Sequence, residues 1–118
     1  MKARAVATWV NRYVRAWKTN DPDDIKQLFS ENARYFTAPF RRPWKGRKQI
    51  VEGWLGRKDQ QGQWKFRYNV LAVTARKSFV RGWTTYVNQR AAYSNLWIIR
   101  LDAHGRCSEF VEWWMIHS

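Results

Sequence analysis

An α+β fold, with helices packed on one face of a curved antiparallel sheet, is what the sequence predicts, and three observations carry that expectation. Apolar residues recur at helical spacing as far as Leu55 and switch to a period of two from Trp64 onward. Three helical segments therefore come first and three or four long strands follow, an order that puts the helices on one side of a sheet. Nine tryptophans in 118 residues, several on one face of the predicted strands, favour a sheet that closes over the helices as a cone. The mouth of such a cone is a usual place for a small-molecule site. With no repeat, linker or low-complexity tract, residues 1–118 read as a single domain.

The elements follow in order. Val6, Trp9, Val10, Tyr13, Val14 and Trp17 form a helical stripe, opposed by Asn11, Arg12, Arg15 and Lys18. Asp21 is placed to cap a second helix, with Pro22 in its first turn and Asp23 and Asp24 where the helix dipole favours acids. That helix is short and buries Ile25, Leu28 and Phe29. Ala33 to Thr37 reads as a strand, ended by Ala38-Pro39. A loop through Trp44 and Gly46 leads to a third helix from about Arg47 to Leu55, with Ile50, Val51, Trp54 and Leu55 inward. Trp64, Phe66, Tyr68 and Val70 alternate with Lys65, Arg67 and Asn69 on the next strand. Phe79 to Val87 follows, where Gly82 suggests a bulge. Asn88-Gln89-Arg90 turns the chain into Ala92 to Leu101, and the Asp102 to Arg106 turn leads into Cys107 to Met115.

A net charge of +13 attracts anionic partners nonspecifically. Only Arg41 to Lys48 is dense enough to form a basic patch, so nucleic-acid binding is a minor reading and a solvated cationic surface the main one. No apolar run approaches the ~20 residues of a membrane span. The basic Met1-Lys2-Ala3-Arg4 start is not followed by a signal-like apolar stretch, and Cys107 alone cannot form an internal disulfide, so a cytoplasmic setting is expected. His104 and His117 are separated and sit in a turn and near a terminus. No transition-metal cluster can be assembled from them, and neither a metal nor another cofactor is expected. Phosphate-binding glycine loops and nucleophile elbows are absent from the sequence.

Chemistry concentrates on the last strand. Phe110, Glu112 and Trp114 point one way, and Glu109, Val111, Trp113 and Met115 the other. If Glu112 faces inward, surrounding rings raise its pKa and make it a general acid or base; an arginine or tyrosine partner makes it structural instead. Tyr13 lies in the buried helical stripe, where its hydroxyl needs a partner, from a ligand or from the protein. Asn95 stands between Tyr93 and Trp97 on one strand face, able to orient a ligand or to bond across strands. Trp9 is expected to fill the core, while Trp64 and Trp83 fit core or wall equally. The expected ligand wall comprises Trp17, Tyr35, Phe40, Trp54, Tyr68, Asn95, Trp97, Phe110 and Trp114.

Several short stretches, in this order and spacing, resemble the nuclear transport factor 2-like superfamily, in particular its SnoaL-like and ketosteroid isomerase-like members. They are Arg12-Tyr13, Asn20-Asp21-Pro22-Asp23, Glu31 to Tyr35, Pro39, Gly46 to Ile50, Asp102 to Arg106 and Glu112-Trp113-Trp114. The resemblance spans nearly the whole chain and implies a cystatin-like α+β barrel. The superfold hosts isomerases, dehydratases, cyclases, epoxide hydrolases and binders, so it does not by itself fix an activity. Set against ketosteroid isomerases, Tyr13 falls at the oxyanion-stabilising tyrosine. Ala38 stands in place of the proton-shuttling aspartate, and Trp97 in place of the second oxyanion donor. Steroid isomerisation by that mechanism is therefore not expected. The resemblance turns Glu112 inward, where it is similar to the acid/base carboxylate of SnoaL-like cyclases. Two readings follow. One is cofactor-independent isomerisation, dehydration or cyclisation of a small apolar ligand by Glu112 and Tyr13. The other is a non-catalytic module that pairs as a homodimer through Trp113 and Met115.

Overall fold

The structure is a computed structural model that describes residues 2–60, 62–87 and 91–117. Helix α1 (Ala3–Thr19) buries the predicted stripe of Val6, Trp9, Val10 and Tyr13, together with Ala16. The Trp9 indole N–H donates to the Leu28 carbonyl at 2.9 Å, so the largest ring of this stripe enters the core with its polar atom satisfied. Asn20 ends the helix in the left-handed region at φ 53°, a conformation asparagine tolerates better than most residues. Asp21 caps α2 (Pro22–Leu28) by accepting from the Asp23 N–H at 2.8 Å, as its sequence predicts.

Strand β1 (Phe29–Phe36) begins immediately after α2, four residues before the expected start. Phe29 accordingly belongs to the sheet, where it pairs with Cys107 and remains fully buried. The chain then forms a two-residue strand, β2 (Trp44–Lys45), where the sequence suggests only a loop. Helix α3 (Gly46–Gly56) follows, and then β3 (Trp64–Val73), β4 (Ser78–Tyr86), β5 (Ala91–Leu101) and β6 (Cys107–Ile116). The expected turn at Asn88-Gln89-Arg90 lies outside the described residues.

The six strands lie in the order β2-β1-β6-β5-β4-β3. Three helices against one curved sheet make this the expected α+β architecture, with one correction: β1 pairs parallel to β6, so the sheet is mixed rather than wholly antiparallel. The β3–β6 meander brings its last strand beside β1 running the same way. An alternating side-chain pattern carries no sign of strand direction. Gly82 is not a bulge, for the ladder runs unbroken through Tyr68, Gly82 and Asn95. A Cβ at Gly82 would lie 2.5 Å from the Phe66 ring, so glycine lets that ring cross the strand. The register shifts fall instead at Phe29/Arg34, Val70/Ala72 and Arg100/Leu101.

The core between α1 and the sheet centres on Phe110. Its ring lies 4.6 Å from Tyr35, 5.2 Å from Trp97, 5.5 Å from Tyr13 and 5.9 Å from Trp9, centroid to centroid. Such pairs contribute ~0.5–1.5 kcal/mol each beyond the area they bury. On the opposite face of the sheet, Trp83 lies between the guanidinium groups of Arg67 and Arg81, at 4.4 and 4.7 Å. It is therefore an outer-face residue, outside both the core and the ligand wall.

Candidate functional site

The inner face of the sheet sets the site. Val80, Trp97 and Glu112 form one cross-strand row, and Gly82, Asn95 and Trp114 form the next. Along β6 this face runs from fully buried Phe110 through half-buried Glu112 to Trp114, which is 50% exposed. A cavity of about 400 Å³ opens above Phe110 between this face, α1 and α3. That volume lies in the range of small-ligand pockets.

Tyr13, Trp17, Tyr35, Trp54, Asn95, Trp97, Glu112 and Trp114 all line the cavity. The sequence-based wall is corrected at three positions. Phe40 is 81% exposed, on the loop beyond buried Ala38, with the Arg41 guanidinium near its ring. Tyr68 is anchored to α1, its hydroxyl donating to Asn11 Oδ1 at 2.7 Å, so it stays outside the lining. Phe110 lies beneath Tyr13, Tyr35 and Trp97, which screen it from the open space.

Glu112 makes no ion pair among the described residues; the ion pair there joins Arg34 to Glu109 at the sheet's outer face. Burial among the rings pushes the Glu112 carboxyl up to about 8, against weaker opposing effects of Asn95, Trp97 and Arg57. Its amide partner is itself held in place. Thr84 Oγ1 donates to Asn95 Oδ1 at 2.8 Å, which leaves Asn95 Nδ2 to donate to Glu112 Oε2 at 3.4 Å. The Trp97 indole N–H is close enough to favour the ionised carboxylate, yet it is buried without a hydrogen-bond partner of its own.

Across from this group the Tyr13 and Tyr35 hydroxyls lie 2.7 Å apart. Burial raises both phenols well above their ordinary range, so both stay neutral donors. Whichever hydroxyl donates to the other, the accepting one keeps its own proton free for a ligand oxygen. Trp44, from the unexpected β2, stacks on Tyr35 at 4.9 Å. Gly53 permits this, because a Cβ there would meet the Trp44 indole at 2.3 Å.

The mouth is built by the segment after α3, where the sequence gives no periodic signal. Asp59 Oδ2 accepts from the Trp17 indole at 2.9 Å and from the Tyr86 hydroxyl at 3.0 Å. The Asp59 carbonyl accepts from Asn20 Nδ2, and Asn20 Oδ1 accepts from the Trp54 indole. Asn20 thus joins the ends of α1 and α3 to the mouth. Thr37, Arg57, Lys58, Thr84, Tyr86 and Tyr93 complete the lining. Thr84 and Tyr86 share the inward parity of Val80 on β4, and Tyr93 that of Asn95 on β5, so alternation alone identifies them. Polar groups and rings therefore share the wall.

The profile of the SnoaL-like domain matches residues 10–110. The chain belongs to the SnoaL-like domain family. No curated protein matches its sequence significantly. Among solved structures, this SnoaL-like domain is similar to a ketosteroid isomerase-like protein from Erwinia carotovora atroseptica, with 17% identity, 92% of each chain covered and a TM-score of 0.65. It is also similar to an NTF2-like protein of unknown function from Mesorhizobium loti, with 17% identity, 98% and 94% covered and a TM-score of 0.71. A protein from Sphaerobacter thermophilus gives 14% identity, 91% and 93% covered and a TM-score of 0.71. At these identities the likeness shows a shared fold. No helix among the described residues is long and apolar enough to cross a membrane.

Proposed function

We propose that this SnoaL-like domain binds a small, largely apolar ligand in its aromatic cavity and moves a proton on it, with Glu112 as the acid/base. The observation that carries this reading is the Glu112 carboxyl, raised to about 8 beside a cavity of about 400 Å³ and tied to no arginine among the described residues. At neutral pH most molecules hold the proton and a fraction do not. A group poised there can give and take a proton with little driving-force penalty. The Tyr13–Tyr35 pair supplies a donor for a ligand oxygen on which charge builds. Each such donor contributes ~3 kcal/mol to lowering a barrier in comparable sites. Isomerisation, dehydration and cyclisation all fit this arrangement, and none of the steps calls on a cofactor. Ala38 offers no second acid beyond the end of β1, and the other carboxylate of the cavity, Asp59, is engaged at the mouth by Trp17 and Tyr86, which leaves Glu112 as the acid/base.

The test is proton exchange at the α-carbon of a panel of cyclic ketones and enones in D₂O, followed by NMR. Wild type is expected to accelerate exchange on at least one member, and Glu112→Gln to lose about a hundredfold of that rate. Equal rates in the two proteins refute the acid/base role.

A second reading is a homodimer through the outer sheet face, supported by Trp113 at 49% and Met115 at 70% exposure. Leu96 and Val111 lie on the same face, Leu96 directly across from Trp113. Pairing there is compatible with a working cavity on the other side of the sheet. Light scattering that gives a monomer at high concentration refutes it. A cytoplasmic setting remains part of the proposal.

A further inference from the structure

The residues at the cavity mouth point to the chemical class of the ligand. Arg57 and Lys58 both line the cavity where it meets solvent. Neither side chain forms an ion pair or hydrogen bond among the described residues. The acid beside them, Asp59, forms no ion pair with either among the described residues, and the three charges together leave the mouth net positive. Its carboxylate is turned to the Trp17 indole and the Tyr86 hydroxyl. The field of Arg57 reaches inward as far as Glu112 and Tyr35, where it favours the ionised form of each. The cavity therefore runs from two unpaired cations at the mouth, past the rings of Trp54 and Trp114, to the hydroxyl and carboxyl groups at its floor.

We propose that the ligand is a ring-bearing carboxylic acid whose carboxylate pairs with Arg57 and Lys58 at the mouth while its apolar body lies against the cavity's rings. A planar guanidinium can grip a carboxylate through two parallel hydrogen bonds, which fixes orientation as well as adding affinity. Held by that end, the molecule presents its far end to Glu112, Tyr13 and Tyr35. This inference rests on the cavity being a ligand site, and the experiment separates the two claims.

Calorimetry with benzoate, 2-naphthoate and biphenyl-4-carboxylate, each against its neutral amide, reads the preference directly at low salt. Wherever a pair binds, the acid is expected to bind about tenfold more tightly than the amide, as an ion pair with charged hydrogen bonds provides. In Arg57→Gln/Lys58→Gln the preference is expected to fall within about twofold. Both residues are exposed, so the double variant is expected to keep its fold, which circular dichroism checks. Arg41→Gln, on the exposed loop that carries Phe40, lowers the net charge without touching the cavity and is expected to keep the preference. Amides that bind as tightly as acids overturn this inference and leave the cavity reading standing. So does a preference that survives in the double variant, or one that Arg41→Gln reduces equally. If no pair binds at all, the cavity reading falls and this inference with it.

Discussion

Replacing Glu112 with glutamine removes a proton-binding site while keeping nearly the same shape. The glutamine carbonyl can still accept from Asn95 Nδ2, which lies 3.4 Å from Glu112 Oε2. In the unfolded chain the Glu112 carboxyl titrates near 4.5, and in the cavity near 8. Between those values the native state holds a proton that the unfolded state has released. Native stability from this group is thus fully present below pH 4.5 and is lost as pH rises through 8. At about 1.4 kcal/mol per pH unit the whole difference is roughly 5 kcal/mol as an upper bound, and solvent in the cavity lowers it toward ~2 kcal/mol. Urea unfolding of both proteins from pH ~4 to ~9 measures it, because subtraction of the two curves cancels every other titrating group. Wild type is expected to lose ~2–5 kcal/mol relative to Glu112→Gln across this range, with the variant the more stable at the alkaline end. Parallel curves refute the claim that the cavity holds Glu112 protonated.

Tyr13→Phe leaves the core ring in place and strands the Tyr35 hydroxyl; it is expected to cost about 1 kcal/mol in thermal unfolding and to slow α-proton exchange at least tenfold. Gly82→Ala drives a methyl into Phe66, whose ring is stacked 5.0 Å from Trp97 and cannot easily retreat, so ~1–3 kcal/mol should be lost in urea titrations. Gly53→Ala displaces Trp44 from its stack on Tyr35, and calorimetry should show weaker binding of whichever aromatic probe the wild type takes. Trp113→Glu on the outer face should convert any dimer to monomer in light scattering without changing binding in the cavity. Any nucleic-acid binding through the loop from Arg41 to Lys48 should weaken steeply between low and physiological salt in filter-binding assays.

Much of the fold was legible because its signals are local. The stripe from Val6 to Trp17, the Asp21-Pro22 helix start and the alternation on the last four strands each depend on neighbours within one or two turns. The inward parity of Glu112 is not local: Val111, Trp113 and Met115 make the other face as apolar as Phe110 and Trp114 make this one, so only the family resemblance turns Glu112 inward. What the sequence hides is long-range. The parallel pairing of β1 with β6 joins residues more than seventy positions apart. Gly82 looks like a bulge until Phe66, on the neighbouring strand, is seen to occupy the space above it. Asp59 carries no periodic or motif signal, and only the fold brings Trp17 and Tyr86 to its carboxylate. Tyr68 has the correct parity for the inner face but lies at the α1 seam, which strand alternation does not reveal.

The most direct test of the central claim is the titration of the Glu112 side-chain carboxyl carbon by ¹³C NMR, assigned by its absence in Glu112→Gln. A midpoint of about 8, displaced when an aromatic probe occupies the cavity, is the expected result. A midpoint near the ordinary 4.5, unmoved by any bound probe, contradicts it.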